Sequence, residues 1–367
     1  MNIKIINNNR KSFSYWKFHL LGPDPGLIRL QFGLKTVLTV AFSCFVMSLI
    51  IQAGSYANLT PIMLTGLVGL QSIVLINDKT TKEKKITTCI FPLLSALSIT
   101  LSTVLSIVGY FSADIMLIVI AFLAFYMQRF GARYVALGMI TFLTFYFSLM
   151  YMQGLTFSDL PWYYAGVVVG PVCGYIINFF VFKDKTQKNS EETVPVDEQK
   201  KQPQRGLYPT TQKGLQAALV SGVAIIIGHA VSPTYPYWTV LAAILVILGT
   251  NTVGDTAKKA LHRCVGTVFG AIAGLTIGSF ISGPMYVVLL LLAISIFTAY
   301  YLMAHSYAVF IFWITMLLSM AFEALLGGVT VQILGLRVID TLIGSGLSIL
   351  VVIFLFRHQT NNVVKKA

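Results

Sequence analysis

Residues 33–52 read GLKTVLTVAFSCFVMSLIIQ, with Lys35 the single charge in the run. About twenty apolar residues in a helix match the hydrocarbon thickness of a bilayer, so this stretch predicts a membrane-spanning helix. Comparable runs recur along the chain. In the first half they lie near 59–77, 86–109, 113–128, 134–152 and 162–182. In the second half they lie near 214–231, 236–250, 264–281, 285–303, 307–322 and 331–356. The spacing predicts an all-α polytopic membrane protein of about twelve transmembrane helices. Composition agrees: 56% of residues are hydrophobic and 11% charged, against about 25% charged in a soluble domain.

The charges predict a topology. The net charge of +13 would suggest nucleic acid in a soluble protein. Here the basic residues sit in short connections between apolar runs, without aromatic interleaving on a polar face, so no nucleic-acid partner is expected. These connections are the N-terminal tail, the 78–85 loop, the Arg129 to Arg133 turn, the central linker, the Lys258-Lys259-Arg263 loop and the C-terminal tail. They alternate onto one side. The opposite connections hold Asp114, Asp159 and Glu323 and no Lys or Arg. The positive-inside rule makes the basic side cytoplasmic, with both termini inside a cell membrane. No stretch near the start reads as a cleavable signal peptide. The four cysteines, Cys44, Cys89, Cys173 and Cys264, lie in or beside apolar runs and read as small buried hydrophobes.

The two halves read as copies. Gln31-Phe32-Gly33-Leu34-Lys35 opens one and Gln212-Lys213-Gly214-Leu215-Gln216 the other, each followed by the same order of apolar runs and basic loops. Six spans per half is an even number, so both halves enter from one side as parallel repeats about an axis along the membrane normal. The expected organisation is a tail over 1–31, a six-span repeat over 32–182, a flexible cytoplasmic linker over 183–211, a second repeat over 212–356 and a tail over 357–367. The linker is polar and nearly free of large apolar residues, so it cannot bury a core.

Few residues carry chemistry. Arg337 is the one cation that the topology cannot place on the basic side. It opens the last run, in Gly335-Leu336-Arg337-Val338-Ile339-Asp340, and Asp340 follows one turn later on the same helix face, where the two can pair. An ionisable residue within a span costs about 2.5–3.5 kcal/mol at mid-bilayer by insertion scales and usually faces a cavity. Arg263 is expected at the cytoplasmic mouth of its helix, where with Lys258 and Lys259 it would gather anions. Gly266, Gly270, Gly274 and Gly278 repeat every four residues, a face for close helix packing, with Thr88, Pro92, Ala96 and Thr100 as first-half counterparts. Tyr235, Tyr237 and Trp238 read as an aromatic belt at headgroup depth. His229 and His305 stand alone near span ends. There is no metal-ligand, cofactor-binding or catalytic constellation, and an enzyme is not expected.

Four segments together carry a family resemblance: Pro236-Tyr237-Trp238-Thr239-Val240-Leu241; Arg263-Cys264-Val265-Gly266-Thr267-Val268-Phe269-Gly270-Ala271; Tyr300-Tyr301-Leu302 with Ser306-Tyr307-Ala308; and Arg337-Val338-Ile339-Asp340-Thr341-Leu342-Ile343-Gly344. In this order and spacing the second half resembles the fusaric acid resistance protein-like family, which includes the bacterial aromatic acid exporters. The first half is more loosely similar. The resemblance implies a multi-pass inner-membrane exporter of aromatic or related organic acids. A distant similarity to plant malate channels, dimers of six-span chains, implies that this fused chain is its own pseudo-dimer.

The function expected is export of small organic carboxylate anions, with Arg337, Asp340 and Arg263 as the substrate-binding residues and the proton gradient as one possible drive. The alternatives are an anion channel and a membrane scaffold or subunit without transport. A scaffold would keep Arg337 and Asp340 paired and sealed in packed protein.

Overall fold

The computed structural model describes residues 24, 27–76, 78, 80–151, 155–182, 209–233, 235–280, 285–326 and 331–364. The N-terminal tail through 23, the linker from 183 to 208 and the residues after 364 lie outside the described residues. The described chain is helical throughout, without strands. Its helices are α1 Ile28–Ala53, α2 Thr60–Leu75, α3 Thr81–Val108, α4 Tyr110–Tyr126, α5 Ala132–Tyr151 and α6 Leu160–Ile176, then α7 Pro209–Val231, α8 Trp238–Ile247, α9 Val253–Phe280, α10 Met285–Leu302, α11 Tyr307–Leu326 and α12 Val331–Val364. Each apolar run of the sequence falls on one of these helices. A 3₁₀ turn, Met127–Phe130, extends α4, and a π-helical turn, Ile177–Val181, ends α6.

Eight helices are long and apolar enough to cross a membrane, and four apolar helices are shorter, at Thr60–Leu75, Trp238–Ile247, Tyr286–Leu302 and Tyr307–Met320. The burial pattern fixes the solvent. On α1, Gly33, Thr36, Thr39, Ser43 and Met47 are buried, while Leu34, Leu38, Phe42, Phe45 and Leu49 are exposed. On α3, Ser95, Ser98 and Ser102 point inward and Leu93, Leu97 and Ile107 outward. Leucine outside and serine inside is favourable only where the surroundings are as apolar as leucine itself. There, small residues let backbones approach and hydroxyls bond across helices. The chain is a multi-pass membrane protein.

The helices pair in the same way in both halves. In the first, α1 packs on α2 and α6, α2 on α6, α3 on α5 and α6, and α4 on α5. In the second, α7 packs on α8 and α12, α8 on α12, α9 on α11 and α12, and α10 on α11. The halves meet through two crossed contacts, α1 with α10 and α4 with α7. At each, a glycine admits the partner backbone: a Cβ on Gly33 would lie 3.1 Å from the Phe297 carbonyl oxygen, and one on Gly214 lies as close to that of Phe122. The largest hydrophobic cluster runs across this seam, from Phe142, Phe145 and Tyr146 on α5 to Val240 and Ile244 on α8 and Leu334 on α12.

One short helix, α8, is wedged into the second half. Apart from Leu241 and Leu245, every residue of α8 from Trp238 to Ile247 is buried. A helix apolar all round belongs inside a bundle, and at ten residues α8 is about 15 Å long, too short to cross alone. Gly249, at φ 75, turns the chain out of α8 and into α9. At the far end of the first half, Asp159 accepts from the Thr156 hydroxyl at 2.6 Å and from the Tyr56 hydroxyl at 2.8 Å. Hydrogen bonds from the Thr156 side chain and amide and from Tyr56 hold its carboxyl below the usual range.

Candidate functional site

The site begins with a close crossing of α12 over α8. A Cβ on Gly344 would lie 2.4 Å from the Thr239 carbonyl oxygen and 2.9 Å from the Ala242 Cβ, so only glycine permits this approach. One turn later Ser348 donates to the Ala243 carbonyl at 3.0 Å. One turn earlier the crossing sets Asp340 against α8. Asp340 is fully buried, and its Oδ1 accepts from the Thr239 hydroxyl at 2.6 Å. Ser232 lies beside the same carboxylate, yet Asp340 Oδ2 has no hydrogen-bond partner.

Arg337 sits one turn further toward the start of α12. Its guanidinium lies 5.4 Å from the centroid of the Trp238 ring, a cation–π contact worth about 0.5–2 kcal/mol. The expected Arg337–Asp340 ion pair is absent: the ion pairs among the described residues join Arg29 to Asp24, Arg133 to Asp78 and His229 to Asp114. The reason is local. Thr239 holds the carboxylate toward α8, while the indole ring holds the guanidinium apart from it. Arg337 keeps part of its surface accessible, although its Nε is sealed and unpartnered. Tyr146 and Tyr151 of α5, Arg263 of α9 and Asp340 lie within electrostatic range of it.

Arg263 is not at the mouth of its helix. α9 begins at Val253, where Thr252 Oγ1 accepts from the Asp255 amide at 3.1 Å and donates to its carboxylate at 2.8 Å. Lys258, Lys259, His262 and Arg263 are therefore helical, not loop. Arg263 lies about 15 Å from the helix start, about half the hydrocarbon thickness. It is 7% exposed, and its Nη1 donates to the Tyr307 hydroxyl at 3.1 Å. Its Nε has no partner. Lys259, one turn below, donates to the Leu248 carbonyl and lies 5.1 Å from the Tyr307 ring centroid. Lys259, Arg263 and Arg337 thus lead inward from the start of α9.

Tyr146 comes from the first half. It is fully buried, stacked on Phe142, and its hydroxyl has no partner. Arg337, Arg263 and Asp340 all act on it electrostatically. Four buried polar atoms of one neighbourhood, Arg263 Nε, Arg337 Nε, Tyr146 Oη and Asp340 Oδ2, therefore lack protein partners. Buried polar groups are nearly always satisfied. Such a cluster calls for a polar occupant, and two guanidiniums beside one carboxylate suit an anion.

Sequence reasoning did not find Tyr146, Trp238 or Thr239 as members of the site, and it set Lys259 in a loop at the helix mouth. Tyr237 and Trp238, expected at headgroup depth, are 2% and 4% exposed. The Thr252-Val253-Gly254-Asp255 cap was a readable signal that α9 starts before its basic residues; nothing in the sequence marks Tyr146.

The remaining candidates are structural neighbours. The glycine ladder faces α11: added Cβ atoms on Gly266 and Gly270 would lie 2.5 Å from the carbonyl oxygens of Ala308 and Phe312, and one on Gly274 2.6 Å from the Ser319 Cβ. The surroundings of Gly278 lie outside the described residues, as does the side chain of Glu323. The proposed counterparts do not share that face. Thr100 reaches Tyr164 of α6 at 2.6 Å, whereas α5 is met by Ser95, Ser98 and Ser102 through Thr144, Thr141 and Ser148. The two histidines are partnered: His229 Nε2 lies 3.1 Å from Asp114, which also accepts from Tyr237 at 2.9 Å, and His305 meets Arg29. Among the described residues no cluster could hold a metal ion, and all four cysteines are free.

No curated protein and no solved structure matches this chain. A family model does match, over a slightly narrower stretch than the 212–356 expected, and it takes in Trp238, Thr239, Lys259, Arg263, Arg337 and Asp340. Residues 223–351, running from α7 into α12, match the model of the fusaric acid resistance protein-like family.

Proposed function

We propose that this chain is a membrane transporter that exports small organic carboxylate anions, aromatic ones among them, through the space between its two halves. The halves act as parallel six-helix repeats, a reading supported by their matching helix pairings. Both termini are cytoplasmic, as the distribution of Lys and Arg argues. The observation that carries the function is the partly accessible Arg337, unpaired with Asp340 and within electrostatic range of Arg263 in its own half and of Tyr146 across the seam. Lys259 and Arg263 draw the anion inward from the basic side, and Arg337 takes its carboxylate, the group a guanidinium fork fits best. Asp340 competes for Arg337 when ionised, so its protonation strengthens anion binding and couples transport to protons. A scaffold would have no use for a cation left open in this way.

The test is anion efflux from proteoliposomes. Arg337→Ala is expected to lower benzoate flux at least about thirtyfold, as for loss of one partner of a desolvated charged contact. Unchanged flux would remove Arg337 from the mechanism. A planar-bilayer current without pH dependence would replace the transporter by a channel.

A further inference from the structure

The transport reading uses the Arg337 guanidinium and the charge of Arg263, and leaves the Arg263 Nε–H and the Tyr146 hydroxyl without a task. A carboxylate has two oxygens, and one guanidinium can hold both in a bidentate pair. With a simple monocarboxylate bound in this way, Arg263 Nε and Tyr146 Oη stay buried and unsatisfied. Each such group costs about 1–3 kcal/mol. The Tyr146 hydroxyl is especially telling. The ring sits in an aromatic stack with Phe142 and meets Phe147 edge-on, packing that phenylalanine would provide without the burial cost of an unpartnered hydroxyl. Arg263 is likewise held, by Tyr307 at 3.1 Å, so that one part of its fork is bound and Nε is left free. The charges point the same way: Arg263 and Arg337 share the neighbourhood of Tyr146 with one carboxylate, Asp340.

The placement of Tyr146 matters as well. It belongs to α5, whose close partners are α3 and α4, and α5 is not among the helices packed closely on α9 or α12. Its side chain nonetheless reaches the electrostatic field of Arg263, Arg337 and Asp340. A group that crosses the seam in this way is placed to touch whatever occupies it.

Resting on the anion-transport reading, we infer that Tyr146 and Arg263 form a second anchor opposite Arg337, and that the site selects carboxylates carrying a second oxygen acceptor over simple monocarboxylates. Arg337 holds one carboxylate, while Tyr146 donates its hydroxyl and Arg263 its Nε–H to the second group.

The experiment compares benzoate with benzene-1,4-dicarboxylate in proteoliposomes of the full chain, reading kcat/KM for each. The wild-type protein is expected to favour the dicarboxylate by about tenfold or more, the weight of one hydrogen bond to a charged group. Tyr146→Phe should lower dicarboxylate transport about tenfold and leave benzoate within about twofold. Arg263→Lys, which keeps the charge and loses the fork, should lower the ratio of dicarboxylate to benzoate kcat/KM about tenfold, and decides the matter if Tyr146→Phe does not yield monodisperse protein. A wild-type protein without the preference, or variants that change both substrates by one factor, would overturn the second anchor while leaving the Arg337 reading intact. If Arg337→Ala leaves both fluxes unchanged, the anion reading fails instead.

Discussion

The crossing of α6 over α2 and the crossing of α12 over α8 are built alike and equipped differently. In the first, a Cβ on Gly170 would lie 2.8 Å from the Gly69 nitrogen and 3.0 Å from the Thr65 carbonyl oxygen; in the second, one on Gly344 would lie 3.1 Å from the Ala243 nitrogen and 2.4 Å from the Thr239 carbonyl oxygen. One turn earlier the first crossing has Gly166 and the second Asp340. A further turn back stand Tyr163 and Arg337. The threonines diverge accordingly. Thr65 donates to Pro61 of its own helix at 2.7 Å, whereas Thr239 donates to Asp340 at 2.6 Å. The helix cations differ in the same sense. Arg133 of α5 is held by Thr87, the Glu83 carbonyl and Asp78, while Arg263 keeps a free Nε. The tight crossing therefore belongs to the architecture, since both halves have it. The charged groups are not needed for the crossing, since one half does without them and packs as well.

Three sets of substitutions test that separation, beyond the transport variants above. The largest effect is expected from placing the second crossing's charges in the first, with Tyr163→Arg and Gly166→Asp together. A Cβ at 166 would meet Thr65 Oγ1 at 2.6 Å, and Tyr163 is 1% exposed. Leaving buried charges uncompensated costs about 3–5 kcal/mol, so the variant should fail to elute as a single species in detergent. A stable variant with raised anion flux would show that the halves are interchangeable and break the comparison. Next come Gly344→Ala and Gly170→Ala, each forcing a methyl group against backbone. Both should lower thermal stability by about 1–3 kcal/mol, with the larger loss at Gly344, where the approach is closer. Equal or negligible shifts would mean that the crossings can relax apart. The smallest effect separates the threonines. Thr239→Val should cost about 1–2 kcal/mol and alter the pH dependence of transport, because it frees a buried carboxylate oxygen. Thr65→Val should cost less than about 1 kcal/mol and leave transport unchanged. If the two variants behave alike, Asp340 gains nothing from Thr239.

Hydropathy alone located the helices, because a bilayer demands long apolar runs and the loops between them are short. It misplaced Arg263 for the same reason. Lys258, Lys259, His262 and Arg263 lower the local hydropathy enough to resemble a loop, although the Thr252 cap starts the helix ten residues sooner. Arg337 and Asp340 stood out as charges in an apolar run, but their separation was not readable. It depends on Thr239 and Trp238, which approach from another helix. Tyr146 left no trace in the sequence, because a tyrosine among phenylalanines on a buried helix face gains meaning only from what lies across the seam. The glycine ladder predicted close packing, yet matching its positions by sequence offset chose Thr100, which faces α6 and not α5. Alignment by eye does not preserve helix rotation.

The crossed contacts between the halves set a timetable for biosynthesis. α4 finds its partner α7 soon after leaving the ribosome, but α1 must wait for α10, and Met285 is made long after Ile28. At ordinary elongation rates that delay is on the order of tens of seconds. During it, the face of α1 around Gly33 that later receives Phe297 is open to lipid or to a chaperone, and it is covered only once the tenth helix has been inserted.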